Sequence, residues 1–473
     1  MATLIPKYTQ VTTSNRTIAQ KFAETISVKD FGATGDGTTD DTVAIQAAIN
    51  YFGSASSATG GTVYFPNGTY KITSSIYLNY NTSLVGEGYL AVISVNGNFE
   101  AIRWNASIPS YSKNITIKNI RFIGAGVSSG HTSNTAIRLD HPWGIDGLTI
   151  QNIWVNGFAG YGIQTDQQGS SLTTNCFQFS HWDSIYIYEC GVGILMGEGF
   201  CGESTFSNIT CQACTTYGLQ FSIGPVTGNQ GQHWDTYITG QCPIGIYFGA
   251  ANSGPISFTN AHIEGSTTYG VQFNSSGATG ISFNSSWFVN NPIAIQGDAG
   301  GIISFSNCEF TATSVANYYV YLSATSNFNI TFDGYQKLTG TTPTTQLVSP
   351  DINSFRGAMI RTAATTGSIV NNYSTVLGLQ TRGLMSESAT VRGSNLAGLI
   401  AIANGATTSS VTFTRTETDA DYNVFVQAYI AGTSGTTWTP AIMIDSKSTT
   451  GFRAVFSSAA PSAGFAISWF IVR

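Results

Sequence analysis

Thr205-Phe206-Ser207-Asn208, Ser257-Phe258-Thr259-Asn260, Ser282-Phe283-Asn284-Ser285 and Ser304-Phe305-Ser306-Asn307 are copies of one short pattern. Their phenylalanines are spaced by 52, 25 and 22 residues, and His233-Trp234-Asp235 fills the middle of the first interval, making it two periods. His181-Trp182-Asp183 stands 52 residues before that triplet, and Lys118-Asn119 and Gln151-Asn152 read as earlier copies. A second short strand follows in each unit, as in Tyr217-Gly218-Leu219-Gln220-Phe221, Ile244-Gly245-Ile246-Tyr247-Phe248 and Tyr269-Gly270-Val271-Gln272-Phe273. Short strands recurring every ~22 to 27 residues, with no helix and no leucine pattern, predict the coils of a parallel β-helix.

Successive coils stack ~4.8 Å apart, so equivalent residues form columns that alternate between core and surface. Counting from a turn column taken as Asn208, Asp235 and Asn260, the third residue onward is Phe122, Val155, Cys211, Ile238, Ile263, Phe288 and Phe310, a core column. The flanking columns then face outward. One holds Arg121, Trp154, Thr210, Tyr237, His262, Trp287 and Glu309; the other holds Asn156, Gln212, Thr239, Glu264, Val289 and Thr311. In the coil of Asp183 either Ile185 or Tyr186 falls in the first of these.

Composition agrees with an all-β chain rich in turns. Of 473 residues 52 are Gly, and only 9% are charged, too few for long amphipathic helices. Twenty-eight Phe and 22 Tyr can build a core, which excludes a disordered chain. The net charge of −6 hides an asymmetry: no Lys or Arg lies between Arg138 and Lys337, where 12 acidic residues do. Nucleic acid is therefore not a partner of this segment, because phosphate binding needs basic side chains. A bare polyanion is disfavoured there too. Seven Cys, an odd number with a lone CxxC at Cys211 and Cys214, read as buried or inert thiols, and the five dispersed His imply no metal or cofactor. Neither a signal-peptide apolar region nor a membrane-length apolar run is present, so the expectation is synthesis in a cytoplasm and no membrane insertion.

Residues 1–25 form a polar connector and 26–113 the opening and cap of the β-helix. Within the latter Thr42 to Tyr51 reads as a helix, capped by Asp40 or Asp41, with Val43, Ile45 and Ile49 on its apolar side. The body is 114–340, a transition region 341–394. From 395 to 473 longer strands alternate at period two, as in Phe465 to Val472, and predict a small antiparallel β-sandwich.

The block VKDFGATGDGTTDDTVAIQAAIN (residues 28–50), followed by GGTVYFPNGTYKIT (60–73) and LVGEG (84–88), resembles the opening segment of the pectate-lyase-like superfamily found in phage tailspikes and polysaccharide depolymerases. The final SWFIVR looks like the small sandwiches that end phage fibres. The resemblance covers roughly residues 26–90. It implies a right-handed parallel β-helix with a short N-terminal capping helix and a C-terminal antiparallel β-sandwich, assembled as a homotrimer in a virion. It also implies attachment to a phage tail or baseplate protein through the N-terminus and action on a bacterial surface polysaccharide, capsule or O-antigen. The superfamily includes hydrolases, lyases and inactive binders, so the chemistry stays open.

Rings stacked beside carboxyl and amide groups suit sugars, whose C–H faces pack on aromatics while their hydroxyls need hydrogen bonds. Trp154, Tyr237, His262 and Trp287, with Trp182 and Trp234 of the repeated triplets, are the candidate substrate-binding residues; burial between trimer subunits is the competing account. Glycoside hydrolysis needs two carboxyl groups ~5 to 9.5 Å apart, and Glu264, Asp235, Glu309 and Asp183 are the candidates. Asp235 shares the turn column and has a structural reading as well. Glu198 and Glu203 lie in a Gly-rich loop. A lyase needs instead a base beside a uronic carboxylate, for which His262 and Tyr237 are available. A spike that binds without cleaving is the third possibility.

Overall fold

The computed structural model describes residues 25–472 except 54–59, 166–174, 198–199, 222–229, 250–254, 275, 299, 314–317, 323–326, 334, 341–346, 349–351, 357–358, 363–396, 413–422, 431–439 and 461–464. The expected N-terminal connector lies outside the described residues, as do Glu198 and most of the transition region. The chain divides into two units, Met1–Met385 and Ser386–Arg473.

The first unit is a parallel β-helix. Each coil carries two strands meeting at a bend, then a third strand on another face, and each strand pairs in parallel with its equivalent one coil on. Thr149–Asn156 pairs with His181–Tyr188, that with Phe200–Gln212, and that with Gln230–Gly240. The third face is an 11-stranded parallel ladder from Ile76–Leu78 to Leu347–Val348. Hydrogen-bonded neighbours Asn152 and Asn119 are 33 residues apart, whereas His181 and Thr205 are 24 apart. The early coils are thus longer than the period read from the phenylalanines. Parallel pairing also continues to Met359–Thr362, past the expected end of the body at 340.

The bend is made by a residue in the left-handed region. Asn119, Asn152, Asn208, Asn260 and Asn307 occupy it at φ between 52° and 59°, and Ser184, Thr236 and Ser285 stand in the coils without Asn. Asn reaches this conformation at small cost. Two residues before the bend the side chain points inward, Ile117 and Ile150 in the early coils and then the rings of Trp182, Phe206, Trp234, Phe258, Phe283 and Phe305, all essentially inaccessible. Phe206 and Trp234 stack 4.0 Å apart, Phe258 and Phe283 4.9 Å, and Phe283 and Phe305 5.5 Å.

The third face explains the repeated Gly of the Tyr-Gly and Ile-Gly pairs. A Cβ on Gly245 would lie 2.6 Å from the Gly270 carbonyl oxygen, and one on Gly218 2.7 Å from that of Gly245. The coils approach too closely there for any side chain.

The helix spans Thr42–Tyr51. It buries Ile45, Ala48 and Ile49 in the core shared with Val63 and Phe65, while Val43, expected on the apolar side, is 79% exposed. Asp41 precedes the helix, but its carboxylate instead accepts the Thr34 and Gly35 amides at 2.7 and 3.0 Å. Asp40 accepts the Thr42 amide at 3.0 Å.

The second unit has two three-stranded antiparallel sheets. In one, Phe465–Val472 lies between Ala397–Ile402 and Asn423–Ile430; in the other, Gly451–Phe456 lies between Thr408–Thr412 and Ile442–Ser448. Ile402, Ile467 and Trp469 of the first share a buried core with Val411, Phe452 and Phe456 of the second. The alternation of the sequence here is that of a β-sandwich with one wet and one dry face per sheet.

Candidate functional site

Beyond each bend the strand turns its second and fourth residues outward. The first outward column runs Arg121, Trp154, Tyr186, Thr210 and Ile238, then His262, Trp287 and Glu309. The second runs Asn156, Tyr188, Gln212, Gly240, Glu264, Val289 and Thr311.

Four of the expected residues come together here. The His262 and Trp287 rings stack at 4.7 Å and 10°. Glu264 sits on the same side of its strand as His262, and its Oε2 stands 3.4 Å from His262 Nε2, itself shielded from solvent and without a well-formed hydrogen bond. The Trp287 Nε1–H donates to Thr311 Oγ1 at 3.3 Å, which fixes the tilt of the indole, and Glu309 follows Trp287 in the column, beside Lys337 of the next coil. Glu264 is half exposed and Trp287 is 43% exposed, so a carboxylate and an aromatic face are open to a ligand together. Nearer the N-terminus Trp154 stands beside Tyr186, whose hydroxyl donates to Gln212 Oε1 at 3.1 Å.

Other expected residues are placed elsewhere. Trp182, Trp234 and Tyr237 are core residues with at most 1% exposure, so none can meet a surface glycan. The reason is a slip of one residue: Thr236, not Asp235, occupies the bend. Tyr237 then stacks beside the inward Ile209, and Ile238 takes the outward place beside Thr210, with Thr239 in the core column beside Cys211. Because side chains alternate, one residue of slip exchanges the two faces.

Asp235 and Asp183 lie before the bend, on a different face from Glu264, so the structure does not bring Asp235 and Glu264 together. Asp235 accepts from Asn260 Nδ2 at 3.2 Å. Asp183 accepts from Ser207 and Asn208 at 2.8 and 2.9 Å. Its partial burial works to raise its pKa, but hydrogen bonds from Asn208, Ser207, Ser184 and Gln151 outweigh this and hold it at about 2. Such a carboxyl is a fixed acceptor that ties coils together, unsuited to donating a proton near neutrality.

The sequence reading missed His181 and His233, exposed on the face before the bend with Nδ1 at 2.8 and 2.7 Å from Thr205 Oγ1 and Ser257 Oγ. The repeated triplet signalled them, since residues flanking an inward Trp must face out. It also missed Tyr89, which contacts Trp154 edge-on at 5.2 Å. Tyr89 belongs to a turn outside any column, so no periodicity marked it. Among the described residues no group of three or more His, Cys, Asp or Glu is placed to hold a metal ion.

Residues 25–107 match the family described as rhamnogalacturonase A/epimerase, pectate lyase-like. Mannuronan C5-epimerase AlgE6 of Azotobacter vinelandii is 31% identical over 166 residues, 31% of this chain and 18% of the epimerase. The pre-neck appendage protein of Bacillus phage phi29 is 27% identical over 200 residues, 32% of this chain and 22% of that protein. The chain thus spans less than a quarter of the length of either relative. Among solved structures, the tailspike protein of E. coli bacteriophage HK620, a double mutant in complex with a pentasaccharide, superposes with a TM-score of 0.63. The match covers 99% of this chain and 96% of that one at 12% identity, a likeness of fold. The chain therefore opens on a pectate-lyase-like segment and carries the fold of a phage tailspike.

Proposed function

We propose that this protein is a phage tailspike that binds a bacterial surface polysaccharide, capsule or O-antigen, and cleaves it internally by carboxylate-mediated glycoside hydrolysis. The observation that carries the reading is the pairing of Glu264 with the His262–Trp287 stack on an outward column of the β-helix. The indole face packs against a sugar ring, and the carboxyl beside it is positioned for proton transfer to or from the glycosidic oxygen. Glu309, one coil beyond Trp287, is the second carboxyl. The tailspike fold, and the sequence likeness to a phage appendage protein and to enzymes named for mannuronan, support a polysaccharide-acting virion protein. On this reading three copies assemble side by side, the N-terminus joins the tail or baseplate, and the protein acts at the cell surface after synthesis in the host cytoplasm.

His262 favours one alternative. A partly exposed imidazole whose Nε2 lies 3.4 Å from a carboxylate, leaving Nδ1 for a ligand, is a candidate base for removing the proton beside a uronic carboxylate, the first step of a lyase. Tyr237 takes no part, being in the core. Incubation of the purified protein with host polysaccharide separates the readings. Saturated oligosaccharides support hydrolysis, products with an unsaturated terminal sugar support the lyase, and tight binding with no shortening of any bound polysaccharide leaves a receptor-binding spike.

A further inference from the structure

We propose that Arg121, Tyr89 and Trp154 form a binding subsite for a carboxylate-bearing sugar, making the substrate an acidic polysaccharide laid along the outward column; the inference rests on the glycan-binding reading above. The Arg121 guanidinium lies over the Tyr89 ring at 4.4 Å from its centroid, and Tyr89 in turn meets Trp154 edge-on at 89°. Stacking on a ring holds the guanidinium flat, with its N–H edge available to a planar carboxylate. Among the described residues no carboxylate pairs with Arg121. The nearest arginines before and after it differ in this respect: Arg103 is paired with Asp140 at 2.6 Å and Arg138 with Glu100 at 2.7 Å. Arg121 is therefore a cation with no carboxylate partner among the described residues, and rings for the sugar's C–H face stand beside it.

Its place in the fold sets the direction of the ligand. From Arg121, which follows Val92 in register, the column continues through Trp154 and Tyr186 and reaches His262 five coils on, about 24 Å at one strand spacing per coil. Within this column no Lys or Arg follows until Lys337, so an acidic chain gains its anchoring at the Arg121 end and presents a more distant linkage to Glu264. The absence of Lys and Arg from the intervening column positions does not oppose an acidic substrate when the charge is read at one end only.

The test is binding of a short linear uronate oligosaccharide to the full-length protein, against the same oligosaccharide after carboxyl reduction, for wild type, Arg121→Gln and Arg121→Lys. The expected result is that Arg121→Gln weakens binding of the acidic form at least ~10-fold and flattens its salt dependence. The reduced form is unaffected, and Arg121→Lys recovers only part of the loss. Equal binding of both forms by folded wild type and Arg121→Gln overturns the subsite while leaving glycan binding intact. Failure of wild type to bind either form, or any host polysaccharide, overturns the glycan reading together with it. A change of oligomeric state in Arg121→Gln with binding of both forms preserved overturns it in favour of a contact between copies.

Discussion

His262 and Trp287 lie one coil apart with their rings 4.7 Å apart and nearly parallel, so the imidazole supports one face of a partly exposed indole. Removing the indole takes away the proposed sugar platform and the ring stacked on His262. Trp287→Ala is expected to weaken glycan binding by ~1 kcal/mol or more. Isothermal titration on a variant shown to be folded and unchanged in oligomeric state checks this; undiminished affinity removes Trp287 from the site.

Glu264→Gln keeps the size of the side chain and removes proton transfer. Cleavage is expected to fall at least ~100-fold while glycan affinity survives. Reducing-end release measured beside direct binding distinguishes the two quantities. Normal turnover by a folded Glu264→Gln protein moves the assignment to Glu309 or Glu203, since Asp183 is already committed to Ser207 and Asn208.

A different pH dependence belongs to the fold. His141 Nδ1 accepts the Trp143 and Gly144 amides at 3.1 and 2.9 Å, which leaves the proton on Nε2, 2.9 Å from Ser112 Oγ. Burial depresses its pKa from 6.5 to about 3. A group depressed on folding stabilises the native state above its unfolded pKa, and that stability is lost as pH falls through the folded value. The melting temperature is expected to decline from pH about 6.5 towards 3, and more steeply in wild type than in His141→Gln. Identical slopes in thermal melts across that range count against His141 as the source.

The β-helix and most of the core column after the bend were legible because the repeat is chemically redundant: ring, small residue and Asn recur with enough copies to fix the period. The helix Thr42–Tyr51 was legible for the opposite reason, a local block with its own cap and apolar positions. What failed was phase in the coils that lack Asn at the bend. Asp is the more usual left-handed residue and Thr is β-branched, so Asp235 looked like the bend and Thr236 did not. Aligning the inward rings instead, Trp234 with Phe206 and Phe258, puts Thr236 at the bend and Tyr237 inside. The site was legible as columns, and it was misread where a column depended on a single ambiguous residue.

The β-sandwich has a core of its own, with Phe452 and Trp469 from opposite sheets 5.4 Å apart. Deleting residues from 395 onward is expected to leave a folded β-helix with weakened trimerisation or receptor binding. Circular dichroism with light scattering and a binding assay decides it; a truncated protein that remains fully trimeric and active has no need of this unit for assembly or binding.

Each ring from Phe206 to Phe305 packs on the ring of the coil before it, and each coil completes its hydrogen bonds on its predecessor's edge. Such a chain grows like a crystal in one dimension, where the last finished layer is the template for the next and an isolated layer has no stability of its own. The helix at Thr42–Tyr51 packs on the core of the first described layers, and Asn at the bends spares each new layer the cost of choosing its corner. Maturation is then a matter of orderly addition, and a defect in any one layer is inherited by those stacked upon it.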